Sequence, residues 1–349
     1  MGTGPPPAGI SSRSSGRPSR GPASFPVPMT HTLIPDTRSS ALDPILQRVL
    51  RAIRRRREHG FHFAGNFLAV SFDRVTVDDS LVSMKAECHA RDGAIDGTAL
   101  GVLADLALAA PIRAALPADT RLATVNMQLQ LTGAPCHAPV TARSSFHGFL
   151  HGAAGRQAVS RVTLHGAGRE IGLGTATFMV LDLPPGIPIP FLTPVDPALD
   201  ETPLLDPDTD LDADERALFD YVRMALDDSR PANDFTQRLW GYRAHAREGG
   251  ASGALANGPH IANRVGHVQG GVLLGFAQAT AQAALPADWG LSSITATYVS
   301  PGEGDELKAE ADVAHRGRTT AVTRVTITTG QGRRVLEVLA THSLRAGAA

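Results

Sequence analysis

Apolar residues at three- and four-residue spacings mark the helical parts of the chain. Two stretches, 41–59 and 211–228, carry such positions with polar residues between them, and this spacing predicts an amphipathic helix in each. Two others, 97–116 and 270–285, are rich in Ala and Leu and almost free of charge. Helices of that composition bury most of their surface, so we expect both of them at the centre of a fold.

Between these helices, apolar and β-branched residues recur in runs that predict strands. The first half carries strand-like runs within 61–90 and then, after the Ala-rich helix, at 122–131, 139–149, 157–164 and 170–181. In the second half the runs follow the helix that begins at 270, at 291–299, 306–314, 321–328 and 335–343. One buried helix followed by consecutive strands predicts an α+β fold, with an antiparallel sheet wrapped around the helix.

Three stretches lack this periodicity. Residues 1–40 are rich in Pro, Gly, Ser and Arg, and we expect them to be disordered. Repeated prolines in 184–207 predict a linker, and the Gly/Ala-rich stretch 246–257 predicts a mobile loop. The expected domains are therefore a first one with its leading helix, 41–183, and a second one with its leading helix, 208–345.

The second half repeats the pattern of the first. A glycine, a second glycine four residues later and then an apolar helix occur at Gly93 and Gly97, and again at Gly266 and Gly270. This alignment places Gln278 on Asp105. Further along, 155–163 resembles 317–326, and Leu122-Ala-Thr124-Val-Asn aligns with Leu291-Ser-Ser293-Ile-Thr. Helix, strand and turn recur in the same order, which indicates a duplicated domain.

The most distinctive stretch is 263–278, where a turn leads through Gly270 into a buried helix. A helix N-terminus presents unpaired N–H groups and partial positive charge, and the missing Cβ of Gly270 leaves room for an oxyanion or a polarised carbonyl group. In the first half, the residue that most strongly indicates function is Asp105. A lone carboxylate in an apolar helix is costly unless it is paired or faces a cleft, so we expect it to be functional.

Composition narrows the classes of function. The chain has 349 residues, 42% of them hydrophobic, and 33 basic against 34 acidic side chains, so it can build two cores and has no charge bias toward nucleic acid. Its two cysteines, Cys88 and Cys136, are too few for a disulfide framework, and no Cys/His set has metal-ligand spacing. We expect no metal or cofactor, no membrane span and a cytoplasmic location.

The stretch 263–278 and its counterpart around Asp105 resemble the hotdog-fold acyl-CoA thioesterases of the phenylacetate-pathway and human thioesterase-superfamily type. The family pattern N-x-x-G-x-V-H-G-G is matched from Asn263 to Gly271, except that Gln269 replaces His and Gln278 replaces the acid eight residues after the first paired glycine. In the first half Asp105 keeps that acid, while Ala90 replaces Asn and Thr98 replaces the second glycine. The resemblance covers about 61–183 and 235–345, and it implies two tandem hotdog folds that imitate the family's homodimer.

The resemblance also implies an active site between the two halves. Asn263 and the N–H of Gly270 would polarise the thioester carbonyl, and Asp105 would act as general base or as nucleophile, with Thr124 orienting it or holding the water. The reciprocal site would consist of Ala90, Gly97, Gln278 and Ser293. It lacks both the carboxylate and the amide, so we expect only one working site. Further substrate-binding candidates are Gly271 and, for the phosphates of coenzyme A, Arg156, Arg316 and Arg318.

The expected function is hydrolysis of an acyl-CoA to the free acid and coenzyme A. The double hotdog could associate further into a homo-oligomer through exposed strand edges. Two alternatives stay open: a non-catalytic double hotdog that binds acyl-CoA or lipid, and an enoyl-thioester hydratase or dehydratase, which would need an Asp/His pair. The sequence does not predict the length of the acyl chain. We interpret His267 as a turn residue rather than a catalytic one.

Overall fold

The computed structural model of the protein describes residues 42–85, 95–117, 119–134, 136–152, 155–182, 192, 194, 202–230 and 234–345. All of them lie within one compact unit, Arg38–Ala349. The segment 1–40 and most of the 184–207 linker lie outside the described residues, as do Ala90, Gly93 and Cys88. The domain boundaries given above therefore stay predictions.

Within the described residues, the first half has three helices and six strands. They are α1 (Pro44–His59), α2 (Phe63–Phe67), β1 (Val70–Arg74), β2 (Ser80–Met84), α3 (Gly97–Ala114), β3 (Thr120–Leu131), β4 (Val140–Phe149), β5 (Gln157–Gly166) and β6 (Arg169–Asp182). The first helix starts where the side chain of Asp43 accepts a hydrogen bond from the N–H of Ile45, and it ends at Gly60, whose left-handed backbone suits glycine.

The second half has the same number and order of elements. They are α4 (Ala213–Ser229), α5 (Phe235–Trp240), β7 (Tyr242–Arg247), β8 (Gly250–Ala256), α6 (Gly270–Ala283), β9 (Trp289–Tyr298), β10 (Glu306–Arg316), β11 (Thr320–Thr329) and β12 (Arg334–Leu344). The four long helices and the strands after α3 and α6 agree with the sequence prediction to within a few residues at each end. The short helices α2 and α5 are too brief to show periodicity, and the sequence analysis missed them.

All the strands form one antiparallel sheet that is symmetric about its middle. The strand order is β1-β2-β4-β5-β6-β3-β9-β12-β11-β10-β8-β7, so each half contributes six strands in mirrored order. The halves meet where β3 pairs with β9, with Gln128 opposite Thr295. Each half is thus an antiparallel sheet wrapped around one long buried helix, α3 or α6. This confirms the α+β class and the tandem hotdog fold.

The two central helices touch through residues that have little or no side chain. A Cβ built on Gly101 of α3 would come within 2.7 Å of the carbonyl oxygen of Gly271 on α6. On the other side of the contact, Gly275 of α6 packs against Thr98 of α3. Because the backbones are this close, the first turn of α6 lies directly against the middle of α3. This contact is what brings the start of one helix to the side chains of the other.

One helix passes a test of length and apolar composition for a membrane span, although Asp105 and Arg113 interrupt its apolar run. The 18 residues of α3, Gly97–Ala114, are long and apolar enough to cross a membrane. In the fold, 67% of this helix is buried against the sheet and α6. The core helix of a folded domain passes the same test of length and composition, and the packing accounts for the apolar character of α3.

The prediction of a mobile loop at 246–257 is wrong. The hairpin of β7 and β8 occupies these residues, and β8 pairs with β10, where Gly250 lies opposite Asp312. Small residues are required here because α6 crosses this strand closely. A Cβ on Gly253 would lie 2.9 Å from the ring of Phe276 and from the hydroxyl of Thr280. The Gly/Ala composition therefore reflects close packing against a helix.

Candidate active site

A cavity of about 480 Å³ lies between the two halves. Its walls come from α3, the start of β3, β6, the loop before α6 and the end of β9. The four predicted catalytic residues all line it; they are Asp105, Thr124, Asn263 and Gly270. Two come from each half, so the cavity exists only because the halves are packed together.

Helix α6 begins at the wall of this cavity. Gln269 is its N-cap, and the side-chain oxygen of Gln269 accepts a hydrogen bond from the N–H of Val272 at 3.0 Å. Gly270 is the first helical residue, and its backbone N–H donates to no group in the described part of the chain. Helix geometry leaves this N–H without an intrahelical partner. It is therefore available to an oxygen atom bound in the cavity.

Asn263 shapes the loop that leads to α6. Its side-chain oxygen accepts hydrogen bonds from the N–H groups of Val265 at 3.0 Å and His267 at 3.1 Å. The backbone N–H of Asn263 donates to the carbonyl oxygen of His267 at 2.7 Å, which closes the turn. His267 thus takes part in the turn, in line with its interpretation from the sequence. With the oxygen of its side-chain amide engaged, Asn263 has its Nδ2 donor left for a ligand.

Asp105 is held between the two halves by two hydrogen bonds. The hydroxyl of Thr124 donates to Oδ1 at 2.9 Å, and the side-chain amide of Gln269 donates to Oδ2 at 2.7 Å. The side chain is buried, and a Cβ built on Gly270 would lie 3.0 Å from Oδ2. Burial raises the pKa of Asp105 to about 6, while the Thr124 hydrogen bond acts in the lowering direction. At neutral pH the carboxylate is therefore a charged, weakly solvated base.

The sequence analysis missed two residues of this site. Gln269 connects the start of α6 to the carboxylate, and the only signal was its position in place of the family's His. Tyr298, at the end of β9, donates from its hydroxyl to the carbonyl oxygen of Gly270 at 2.8 Å. Burial and the charge of Asp105 raise the pKa of Tyr298 well above its usual range, so it stays protonated and fixes the Gly270 peptide. Within the apolar pattern of β9, nothing distinguished it.

The reciprocal position has the same geometry but different chemistry. Gln278 of α6 covers Gly97 at the start of α3, just as Asp105 covers Gly270, and a Cβ on Gly97 would collide with the Gln278 side chain. A neutral amide thus stands where the other half has a carboxylate. Ser293 lies on β9 opposite Gln130, away from the walls of the cavity described above. Ala90 lies outside the described residues.

The other predicted substrate-binding residues lie away from the cavity walls. Gly271 faces α3 in the helix contact. The guanidinium of Arg156 stacks over the ring of Phe149, 4.2 Å from its centroid, and Arg316 and Arg318 are exposed at the end of β10 and the turn after it. Their assignment to coenzyme A phosphates stays a prediction.

The described residues at this site form neither a metal-binding group nor an Asp/His pair. In the part of the chain that the structure describes, no group of three or more His, Cys, Asp and Glu side chains could hold a metal ion. His62 and His267 line the cavity, but neither has a hydrogen bond to Asp105. Cys136 is a free, buried thiol, and burial raises its pKa to about 11.

Comparison with protein families gives one match. Residues 259–343 match the family described as the acyl-CoA thioesterase N-terminal domain. The matched segment starts just before the Asn263 turn and ends within β12, so it contains α6 and the four strands after it. It confirms the family resemblance of the second half that the sequence motif indicated. No protein of curated function matches the chain.

Several solved structures match the chain at low sequence identity and with TM-scores below 0.5. An acyl-CoA thioesterase II from Mycobacterium marinum is 15% identical and covers 77% of this chain and 94% of its own, with a TM-score of 0.44. The tesB protein of Mycobacterium avium subspecies paratuberculosis is 13% identical over 78% of this chain and 95% of its own, with a TM-score of 0.46. A Bacillus halodurans protein solved with CoA is 21% identical over 39% of this chain and 96% of its own, with a TM-score of 0.36.

Proposed function

We propose that the chain is an acyl-CoA thioesterase with one working site, in the cavity between its two halves. One observation carries the proposal: a buried carboxylate, Asp105, lies beside the unpaired N–H of Gly270 and is oriented by Thr124 and Gln269. A base next to an oxyanion donor, inside a cavity, is what hydrolysis of an acyl compound requires.

In this proposal the start of α6 binds the thioester carbonyl. The oxygen accepts hydrogen bonds from the N–H of Gly270 and from Nδ2 of Asn263, and the partial positive charge of the helix N-terminus adds to both. These donors are positioned before substrate arrives, because Tyr298 holds the carbonyl of Gly270, the Gln269 cap holds the start of α6, and the turn holds Asn263. As the tetrahedral intermediate forms, its oxygen gains negative charge, and donors that need no reorientation stabilise it.

Asp105 is the base or the nucleophile in the attack on that carbonyl. It either takes a proton from a water molecule or attacks the carbonyl carbon itself to form an anhydride. The coenzyme A thiolate is a good leaving group, so the site needs no strong general acid. Label recovered in the carboxylate of Asp105 after a single turnover in ¹⁸O-labelled water would identify the anhydride route, because general-base attack places the label only in the product acid.

Thiol release from short, medium, long and aryl acyl-CoA esters tests the proposal. The expected result is turnover of at least one ester class, which then identifies the acyl preference. Binding without thiol release would favour the non-catalytic double hotdog. A change in enoyl absorbance without thiol release would favour a hydratase, although His62 and His267 make no hydrogen bond to Asp105.

The pH dependence of turnover follows from the raised pKa of Asp105. Because the charged form is the base, kcat/KM is expected to rise about tenfold per pH unit in acid and to level off above the pKa of about 6. The Thr124 hydrogen bond lowers that pKa, so Thr124→Val is expected to move the rise to higher pH. The measurement is a kcat/KM profile of both proteins from pH 4.5 to pH 9. A profile with no inflection between pH 5 and pH 7 in wild type would contradict the assignment.

A further inference from the structure

The cavity has a second polar end, opposite Asp105. Asp105, Ala109 and Arg113 lie at four-residue intervals on α3 and all line the cavity, so Arg113 lies about 12 Å along the helix axis from Asp105. Strand β3 follows the same wall and brings Arg121 to this end, three residues before Thr124. Arg264, from the loop before α6, also lines the cavity. We call Arg113, Arg121 and Arg264 the arginine end.

Two of the three cations at the arginine end, Arg113 and Arg121, have little compensating negative charge. Among the described residues that line the cavity, Asp105 is the only carboxylate. Neither Arg113 nor Arg121 forms an ion pair with a carboxylate in the described part of the chain; Arg113 donates from Nη1 to the carbonyl oxygen of Thr120 at 2.7 Å. Burial and the charge of Arg264 lower the pKa of Arg113 to about 10. Partly buried cations without counter-charges are costly, so the fold keeps them at a cost in stability.

The polar atoms left without a partner at this cavity are hydrogen-bond donors. Nε of Arg121 and Nε2 of His62 are both buried and unpaired. Nδ1 of His62 accepts from the N–H of Gly65 at 3.0 Å, and burial lowers the pKa of His62 to about 3, so the ring is neutral and carries its proton on Nε2. Donors that lack acceptors, next to Arg113 and Arg121, fit a ligand that offers only acceptors. An anionic oxygen group has that chemistry.

The internal repeat shows that Arg113 and Arg121 have no arginine at the corresponding positions of the second half. In the alignment that places Gln278 on Asp105, Pro286 corresponds to Arg113. In the alignment that places Ser293 on Thr124, Gly290 corresponds to Arg121. The copy that lost the carboxylate therefore has no arginine at either position, although Arg345 lies beside Gly290. The arginines and the candidate catalytic base occur together at one cavity.

We propose that the arginine end binds a second anionic group of the thioester substrate, at the end of the cavity opposite the reacting carbonyl. This inference rests on the proposed thioesterase function. The wall between the two ends is apolar, so it suits a chain that carries an anion at its far end; its residues are Leu106, Ala109, Leu122, Phe178 and Leu181. That anion is either a terminal carboxylate of the acyl chain or a phosphate of coenzyme A.

Four matched thioesters distinguish these sources: octanoyl-CoA, the mono-CoA ester of suberic acid, and the S-pantetheine thioester of each acid, which has no phosphate. They are compared on wild type, Arg113→Gln, Arg121→Gln and Arg113→Lys. Arg324→Gln, an exposed arginine of β11, is the control. Arg316→Gln tests the sequence-based phosphate candidate in the same series.

Loss of a charge-assisted hydrogen bond is expected to raise KM about tenfold or more, with kcat less affected, and Arg113→Lys is expected to recover part of the loss. If the effect appears only with CoA esters, the anion is a phosphate. If it appears only with suberyl esters, the anion is the acyl carboxylate. If Arg113→Gln and Arg121→Gln, folded by circular dichroism, keep wild-type KM for all four esters, the proposal is overturned.

A binding measurement separates failure of this inference from failure of the thioesterase proposal. Coenzyme A and suberate are titrated by calorimetry into wild type and both Gln variants. If wild type hydrolyses nothing but binds either probe about tenfold more tightly than the Gln variants, the anion site stands and the thioesterase assignment fails. If affinity is equal in all three proteins, or neither probe binds, the anion site fails.

Discussion

Replacing Asp105 by Asn is expected to lower the kcat/KM of thioester hydrolysis by about 10³-fold. Asn has the size of Asp and can still bridge Thr124 and Gln269, because the Thr124 hydroxyl rotates to accept. Geometry is thus kept while the base is lost. The measurement is steady-state thiol release with the best ester, at pH 8, where wild-type Asp105 is charged.

The internal repeat provides a matched control for Asp105. Gln278 has the same place over Gly97 that Asp105 has over Gly270. If only one site works, Gln278→Ala is expected to change kcat/KM by no more than about twofold. Equal losses in the two variants would indicate that both positions matter, and an active Asp105→Asn would show that Asp105 is not the base.

Asp105→Asn is expected to lower activity but to raise the stability of the protein at pH 8. Because burial raises the pKa of Asp105 to about 6, above the value near 4 of an unfolded chain, the unfolded state holds fewer protons between these two pH values. The stabilising protonated form is fully present below about pH 4 and is lost as the pH rises through 6. Above that pH the charge costs about 3 kcal/mol, so Asp105→Asn is expected to unfold at a higher temperature than wild type at pH 8.

Gly271→Ala is expected to destabilise the protein by about 3 kcal/mol or more. A Cβ at Gly271 would lie 2.4 Å from the carbonyl carbon of Gly101 and from the backbone nitrogen of Val102, which form one peptide bond of α3. Backbone atoms of two packed helices cannot move aside separately, so α6 would have to shift as a whole. Urea unfolding of wild type and variant measures the change, and thiol release is expected to fall as Gly270 moves from Asp105.

The direction of this effect is informative, because an exposed Gly→Ala change inside a helix usually stabilises by about 1 kcal/mol. Gly330, where a new Cβ would meet only the carbonyl oxygen of Glu306 at 3.7 Å, is the control, and Gly330→Ala is expected to change stability by less than about 0.5 kcal/mol. A Gly271→Ala protein as stable as wild type would mean that α3 and α6 are not in backbone contact.

Most of the fold could be predicted from the sequence, because helices and strands differ in the spacing of their apolar residues and the same order of elements occurs twice. The long helices and the strands after α3 and α6 followed from those periods. The hairpin of β7 and β8 did not, because its glycines and alanines are there for the crossing of α6, and local propensity cannot reveal such a partner. The apolar length of α3 likewise has its explanation in the neighbours that bury it.

For the site, the family resemblance predicted which residues would meet. It implied that Asp105 and Gly270 are partners across the interface, and the structure brings them together with Thr124 and Asn263 in one cavity. Gln269 could not be foreseen as a partner of Asp105, since its two hydrogen bonds depend on how α6 lies against α3. The same holds for Arg113 and Arg121, which are 8 residues apart in sequence and face one cavity only in the folded chain.

The central claim is one composite site per chain, and ligand stoichiometry tests it most directly. A ketone analogue of the best acyl-CoA, with a methylene between sulfur and carbonyl, binds without hydrolysis and can be titrated by calorimetry. We predict one molecule bound per chain, and loss of binding in Gly270→Val, whose new side chain would fill the space beside Oδ2 of Asp105. Two molecules per chain, or undiminished binding to a folded Gly270→Val protein, would contradict the single site between the halves.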